Sequence, residues 1–290
     1  MSPGDRALGL AERALAAAPS GGADELQASV TRERSLLLRF ARSRPTQATS
    51  IDDLTVELTA QRDGHLGSAT TNRTDDEALA RCGRAAADAA EAAARAGTGA
   101  YPGLPSPAPA RTHDGYDPET ARLDPAHGGD ALRAAFDAAA AEGVEAHGAW
   151  TVGEVETGIA SSTGLTATDR VTDAFMKVVA IAPGGRSGYA SATGQGVGVL
   201  TPGELGRRAA EKAAAGRGEA AGAASLEPGE HDVVLEPHAV GELLDWLGYT
   251  AFNGLAHAEG RGALDGRLGE RVVAPLVNLS HSPRFAFTNP

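Results

Sequence analysis

The sequence predicts an α+β protein in which helices pack on an antiparallel sheet. Twice along the chain, a helical segment precedes several strand-like segments, and an Ala-rich helix closes each group. Short turns such as Asp63-Gly64 join consecutive strands, which favours antiparallel pairing. A chain of 290 residues with 42% hydrophobic content is long enough to bury a full core. These observations together give the α+β class.

Residues 1–100 are predicted to form an N-terminal α+β domain. A first helix over residues 3–18 has apolar residues at helical spacing and ends at a Pro-Ser-Gly-Gly run. Thr74 or Asp75 suits an N-cap, and the acids that follow favour a long Ala-rich helix over Asp76–Ala96. Four segments between these helices are predicted as strands: residues 23–32, 35–42, 54–62 and 65–71.

Residues 101–129 are rich in proline and are predicted as a linker or an arm that crosses the surface. Residues 130–222 form a middle region in which the order of helix, strands and helix recurs. Its predicted elements are a helix over 130–142, strands over 145–152, 154–161, 165–177 and 178–181, and a helix over 202–215. Because residue identities do not repeat at a fixed period, the two blocks are interpreted as similar in architecture only.

Residues 223–290 are predicted to begin a largely β C-terminal domain. A short apolar strand at residues 233–235 leads to Pro237, which opens an amphipathic helix. A Gly-rich loop containing Glu259 and Arg261 follows, and residues 272–279 form a second apolar strand.

Composition excludes some classes of function. The net charge of −12 and the lack of a basic stripe argue against a nucleic-acid surface, because phosphate binding needs clustered Lys and Arg. The N-terminal segment carries charges among its apolar residues, unlike a signal peptide, and no later run has membrane-spanning length. One cysteine, Cys82, fits a reducing compartment. We therefore expect a cytoplasmic protein without a membrane partner.

Five short motifs follow one another along the chain. They are Asp63-Gly-His-Leu-Gly-Ser-Ala-Thr-Thr-Asn72, Thr157-Gly-Ile-Ala-Ser-Ser-Thr-Gly164, Phe252-Asn-Gly254, Glu259-Gly-Arg261 and Gly266-Arg-Leu-Gly-Glu270. In order and spacing, over essentially the whole chain, they resemble the TldD/PmbA family. The resemblance implies an intracellular metalloprotease built as a pair. One subunit holds zinc, and the other, of TldE/PmbA type, shares its fold without the metal ligands.

The resemblance also assigns this chain to one member of the pair. The catalytic subunit carries His-Glu-x-x-x-His on a helix, where two histidines hold zinc and the glutamate polarises a water molecule. In the closest register those positions are Asp245, Trp246 and Thr250. Tryptophan cannot act as a base, and threonine is a poor zinc ligand. The resemblance therefore implies a non-catalytic subunit with no cofactor of its own, beside a zinc-bearing TldD-like partner that acts on unfolded or small precursor peptides.

Members of this family continue past the element that residues 264–283 resemble, with strands that complete the C-terminal domain. We therefore expect that domain to be truncated here, either in a truncated form of the protein or in a fragment of a longer product. The apolar strand predicted at residues 272–279 would then expose an edge unless another chain covered it.

The loop Glu259-Gly260-Arg261 is the one polar constellation predicted to be functional. A glycine between opposite charges allows close approach to a peptide main chain, and Arg261 could bind a carboxylate through two hydrogen bonds. These residues are the candidate substrate-binding residues. The alternative is an exposed turn with a structural Glu-Arg pair.

Two other hypotheses stay open. The chain could be a partner-free scaffold or peptide-binding protein in the maturation of peptide-derived metabolites. It could also be a hydrolase with an unrecognised metal site at His238 and Glu242, which stand four residues apart on the predicted helix, although a solvated helix face explains them as well. Cys82 is most simply a small packed residue of the Ala-rich helix.

Overall fold

The computed structural model describes residues 3–19, 22–97, 101–108, 114–215, 227–258 and 260–280. The chain divides into two compact units, residues 1–215 together with 283–290, and residues 216–282. Within the described ranges, no helix combines the length and the apolar character needed to cross a bilayer.

The first unit is a two-layer α+β structure, as predicted. Its six strands form one antiparallel sheet in the order β3-β2-β1-β4-β5-β6. The strands are β1 Glu25–Ala41, β2 Arg44–Arg62, β3 His65–Thr71, β4 Glu145–Ser161, β5 Thr166–Ile181 and β6 Ser187–Gly194. The helices are α1 Pro3–Ala17, α2 Asp76–Ala96, α3 Pro125–Ala141 and α4 Pro202–Ala214, with short 3-10 turns at Thr120–Arg122 and Val197–Val199.

Several predicted strand boundaries were wrong. β1, β4 and β5 are each one continuous strand where the sequence predicted two, because charged residues that interrupt the apolar pattern lie inside the paired sheet. β2 begins at Arg44 rather than at Leu54, since its polar first part is held by pairing with β1 rather than by burial. β6 was not predicted at all; its small residues give weak strand propensity.

All four helices of the first unit lie on one face of the sheet. A Cβ atom added to Gly67 of β3 would fall 2.0 Å from Ala90 N of α2, and one on Gly188 of β6 would fall 2.1 Å from Ala209 O of α4. These glycines let each helix approach its strand closely. Two hydrophobic cores result. One packs under α1 and α2 around Val30, Leu58 and Leu79, and the other packs under α3 and α4 around Trp150, Met176 and Leu205.

The two helix-strand-helix blocks are related by an approximate twofold axis. β1 and β4 each have 17 residues, and they pair with each other at the centre of the sheet. Arg34 and Glu154 are each the tenth residue of their strand and stand directly opposite one another. The axis therefore passes between these two residues. The recurrence predicted from the order of elements is a true structural repeat.

The repeat is interlocked. A Cβ on Gly158 of β4 would fall 2.4 Å from the carbonyl carbon of Ala7 in α1, so the first helix lies on a strand of the second block. Reciprocally, Gly128 of α3 lies against the side chains of Leu38 in β1 and Trp150 in β4. α1 thus lies over the central strand of the other block, whereas α3 lies mainly on its own strand β4 and reaches β1 at Leu38.

The proline-rich segment is held on the first unit by backbone and side-chain hydrogen bonds. Leu104 N donates to the Glu25 carboxylate at 2.5 Å, and Thr163 Oγ1 donates to Pro105 O at 2.8 Å. Further along, Thr172 N donates to Gly115 O at 2.9 Å. These contacts make the described part of the segment an arm on the sheet.

The second unit contains two helices, α5 Pro237–Thr250 and α6 Gly254–Ala258. The helix predicted to begin at Pro237 is confirmed. The strands predicted at residues 233–235 and 272–279 were wrong, and no strand is present in residues 227–258 and 260–280. A strand needs a hydrogen-bonded neighbour, and these apolar runs have none within those ranges; Val234 is fully exposed.

Candidate functional site

The three positions that the sequence resemblance assigns to the zinc motif lie on the second half of α5. The side chains of Asp245 and Trp246 are exposed to solvent. The Thr250 hydroxyl donates to Trp246 O at 2.8 Å, so it is used by its own helix. A carboxylate, an indole and a back-bonded hydroxyl do not form a zinc donor set, because structural and catalytic zinc sites need at least three N, S or O ligands. The residues present therefore do not fit the metal.

His238 and Glu242 lie one turn apart on α5, and Glu242 is exposed. In the described part of the chain, no group of three or more His, Cys, Asp or Glu side chains is close enough to share a metal ion. Two side chains on an exposed helix face leave a metal ion largely solvated. The structure thus offers no third protein ligand to this pair within the described ranges.

Of the predicted substrate-binding residues, Glu259 lies outside the described residues. Gly260 adopts a positive φ of 67° and donates its N–H to His257 O at 3.1 Å, while Arg261 N donates to Ala256 O at 2.9 Å. These bonds form a left-handed turn that closes α6, and they explain the glycine locally. The Arg261 side chain is exposed. A role for Glu259, Gly260 and Arg261 in peptide binding remains a prediction.

Apolar side chains of α5 face solvent. Trp246, Tyr249 and Phe252 are 63%, 74% and 55% exposed. Leu244, Gly248 and Phe252 line an apolar groove of about 550 Å³ with Leu279 and Ser280. Apolar exposure on this scale is typical of a surface that packs against further protein.

A second group of polar residues lies in the first unit, between the helix pair α1/α2 and the pair α3/α4. The Glu154 side chain is only 3% exposed and forms ion pairs with Arg34 and with Arg170, whose Nη2 is 2.8 Å from Glu154 Oε2. Arg170 Nε also lies 3.3 Å from Glu156 Oε1. The Arg170 guanidinium stacks over the Tyr116 ring at 3.7 Å. We call these five residues the axial cluster.

Burying charge costs free energy unless opposite charges and hydrogen bonds compensate it. In the axial cluster, the carboxylate of Glu154 has one arginine on each oxygen, and Arg170 is shared by two acids and an aromatic face. The cluster also fixes Tyr116, which lies in the arm, against the sheet. The axial cluster therefore has a structural role: it compensates buried charge and holds the arm on the sheet.

A cavity of about 240 Å³ adjoins the axial cluster on its α3 side. Asp52, Asp124 and Glu154 are its acidic lining residues, and Arg34 is its one basic lining residue in the described part of the chain. Asp52 forms a two-pronged pair with Arg32 at 3.0 and 3.1 Å. Asp124 caps α3, and hydrogen bonds from the His127 side chain and from backbone N–H groups hold the pKa of Asp124 below its usual value. Arginines thus match Asp52 and Glu154, whereas Asp124 pairs with a histidine.

Sequence reasoning missed the axial cluster. Its signal is the pair of acids at positions 154 and 156, on the same strand face as the buried Trp150, Val152 and Ala160. Charges at core-facing positions of a strand are rare and need partners. Both acids were placed in the strand predicted over residues 154–161, and no partner was predicted for them.

Cys82 is buried on α2, and its thiol donates to Ala69 O at 3.2 Å. Burial raises the pKa of the Cys82 thiol, which disfavours the reactive thiolate. A packing role explains this residue fully.

Family models match three consecutive parts of the chain. Residues 27–94 match PmbA/TldA metallopeptidase domain 1, residues 119–217 the central domain, and residues 228–289 the C-terminal domain. The chain belongs to the PmbA/TldD family. The resemblance inferred from the motifs is thereby confirmed, and the division between the first two family models falls in the arm that joins the two halves of the sheet.

Solved structures of the PmbA/TldD family share this fold. A proposed modulator of DNA gyrase from Thermotoga maritima is 22% identical, with a TM-score of 0.72 over 89% of this chain. A protein described in the same way from Bacteroides thetaiotaomicron is 17% identical, with a TM-score of 0.65 over 90% of this chain. TldE from Thermococcus kodakarensis is 18% identical, with a TM-score of 0.58 over 71% of this chain.

The chain spans 58%, 60% and 46% of the lengths of these three proteins, in the same order. At such identities the likeness establishes the fold. Comparison with curated proteins gives no match.

Proposed function

We propose that this protein is a TldE/PmbA-like subunit of a zinc metalloprotease pair that acts on unfolded or small precursor peptides. The observation that carries the proposal is the donor set on α5. The segment matches the metallopeptidase C-terminal domain, and at the positions that we assign to the zinc motif it carries Asp245, Trp246 and Thr250, which are not a zinc donor set. Zinc and the hydrolytic step are proposed to come from a TldD-like partner.

Two further observations support the proposal. The similarity in fold extends to a solved TldE, and the family match covers each of the three domain models. The exposed apolar side chains of α5, among them Trp246 and Tyr249, suit a surface that packs against further protein. A cytoplasmic location is part of the same proposal.

The test is reconstitution. The chain is purified alone and after co-expression with a TldD-like homologue that carries His-Glu-x-x-x-His. We expect a stable complex that holds zinc and cleaves an unstructured peptide, and we expect both zinc and cleavage to disappear when the partner's motif histidines are changed to alanine. Trp246→His in this chain is the matched control, since one added histidine does not complete a donor set and should add no zinc.

Two results would contradict the proposal. Stoichiometric zinc in the isolated chain, lost in His238→Ala, would instead identify a metal site at His238 and Glu242. A strictly monomeric chain that binds no TldD-like homologue would favour the hypothesis of a partner-free peptide-binding protein.

A further inference from the structure

One edge of the sheet is left unpaired over a long stretch. β2 pairs with β1 over its whole length, but β3 pairs only with residues 56–62 of β2. A register shift opposite Arg39 and Phe40 makes residues 44–46 irregular, and residues 47–55 continue as regular strand. Natural sheets rarely leave nine regular edge residues without a cover or a protecting charge. Residues 47–55, here called the free edge, carry charge only at Asp52 and Asp53.

The ladder shows which backbone groups of the free edge point outward. Thr172 N donates to Gly115 O, so the backbone groups of Thr172 point away from β4. Directions alternate along each antiparallel strand. Followed through the unbroken registers of β4 and β1, the alternation turns the N–H and C=O groups at the even positions of the free edge, including Ser50 and Asp52, away from β1. In the described part of the chain, no residue hydrogen-bonds to these outward groups.

The twofold repeat shows what occupies the equivalent edge. Asp52 pairs with Arg34, and Thr172 of β5 pairs with Glu154, so Thr172 is the counterpart of Asp52 across the axis. Thr172 lies just beyond Ala174, where the pairing of β5 with β6 ends. There an extended piece of the chain's own arm is bound: Gly115 O accepts from Thr172 N, and Asp117 N donates to Thr172 Oγ1 at 2.8 Å. The second half thus binds an extended main chain where the first half presents open groups.

The free edge borders the 240 Å³ cavity. Ser50 and Asp52 contribute to the cavity lining with the same face that carries Arg34 and Glu154. Alternate side chains of a strand added to the edge would therefore point toward the cavity. Glu154 is already paired with Arg34 and Arg170, and Asp52 with Arg32. Asp124, which pairs with His127, is therefore the lining carboxylate that favours a positively charged side chain.

From these observations we infer that the free edge of β2 binds an extended peptide by strand addition, with a lysine or arginine side chain of that peptide in the cavity beside Asp52 and Asp124. Main-chain hydrogen bonds to residues such as Ser50 give affinity, and the cavity gives selectivity. The inference deepens the proposed peptide-handling function and rests on it for its biological setting. The site itself is built by the first unit alone.

The experiment uses the full chain without a partner. A fluorescein-labelled, N-acetylated and C-amidated heptapeptide of alternating threonine and valine with a central lysine is titrated by fluorescence anisotropy, beside the same peptide with central glutamate. Ser50→Pro removes one outward N–H and places a ring on the edge, and because that N–H does not bond to β1, the ladder is kept. Ser50→Ala, which keeps the N–H, is the matched control.

We expect Ser50→Pro to weaken binding of the lysine peptide by roughly tenfold or more, and Ser50→Ala to change it by less than about twofold. The lysine peptide should bind roughly tenfold more tightly than the glutamate peptide. Circular dichroism confirms that both variants are folded. Equal binding by the proline and alanine variants would overturn the edge site, and equal binding of the two peptides would overturn the cavity assignment.

Because no partner is present, this result is independent of the reconstitution test. If Ser50→Pro loses peptide binding and the unsubstituted chain assembles with no TldD-like homologue, the peptide site is supported and the subunit role is contradicted. If Ser50→Pro leaves assembly and cleavage unaffected and the isolated chain binds no peptide, the subunit role is supported and the peptide site is contradicted.

Discussion

Arg34 and Glu154 stand opposite one another on the two central strands, at the point where the approximate twofold axis crosses the sheet. A perfect repeat would place identical residues there and set like charges face to face. The two halves instead carry opposite charges at this position, and the ion pair replaces a repulsion by an attraction. The centre of the sheet is thus a place where the halves had to differ.

Replacement of Arg170 by alanine tests the axial cluster. It leaves the buried carboxylates of Glu154 and Glu156 with one fewer cation, so the free energy of unfolding should fall by about 3 kcal/mol. Urea denaturation followed by circular dichroism measures the change. Arg133→Ala, which removes an exposed arginine 3.9 Å from Asp130, is the control and should cost less than about 0.5 kcal/mol. Similar losses in both variants would show that the axial cluster contributes no more than a surface pair.

A methyl group added at Gly67 tests the close approach of α2 to β3. Its Cβ would fall 2.0 Å from Ala90 N, so helix and strand must separate, and we expect Gly67→Ala to lower the free energy of unfolding by about 2 kcal/mol or more. Gly129→Ala in α3 is the control, since nothing lies within 4 Å of the added atom. That change should stabilise the protein by up to about 1 kcal/mol, because alanine favours helix. A neutral Gly67→Ala would show that the two layers are farther apart than described.

The N-cap of α3 gives a prediction about pH. Hydrogen bonds from the His127 side chain and from backbone N–H groups lower the pKa of Asp124 in the folded protein. A carboxyl group with a lowered folded pKa stabilises the fold above its unfolded pKa, and this contribution is lost as the pH falls through the folded pKa. Asp124→Ala should therefore lower Tm at neutral pH, and the difference from the unsubstituted protein should begin to shrink as the pH falls below the pKa of an unfolded aspartate, about 3.9.

Thermal unfolding across that pH range measures the effect. Asp130→Ala, an exposed acid farther along the same helix, should show a much smaller pH-dependent difference. A Tm deficit in Asp124→Ala that does not shrink at any pH below about 3.9 at which the protein is still folded would contradict the charge of Asp124 as its cause.

Local signals predicted the helices well. The helix Asp76–Ala96 was predicted with its observed bounds, because Asp75 caps it by accepting from Ala78 N and Gly97 ends it at a φ of 72°. The strands were predicted less well, since pairing with distant residues decides where a strand runs. Thr49 and Ser50 have little to bury, yet they are strand because β1 lies beside them. Residues 233–235 are apolar, yet they are not strand in the described structure.

The candidate sites follow the same division. The interpretation that Asp245, Trp246 and Thr250 do not hold zinc could be made from residue types alone, because ligand chemistry is local, and it stays a prediction. The axial cluster could not, since Arg34, Tyr116 and Arg170 come from separate elements that only the sheet register and the arm bring together. The cavity beside Asp52 likewise depends on where the arm returns to the sheet.

The packing of α1 over Gly158 and of α3 against Leu38 has a consequence for how the first unit unfolds. Separation of the two blocks would break the pairing of β1 with β4 and would remove α1 from β4. Neither block would then keep a complete core. We therefore expect the two parts that match separate family models to unfold in one cooperative transition, which calorimetry would record as a single peak.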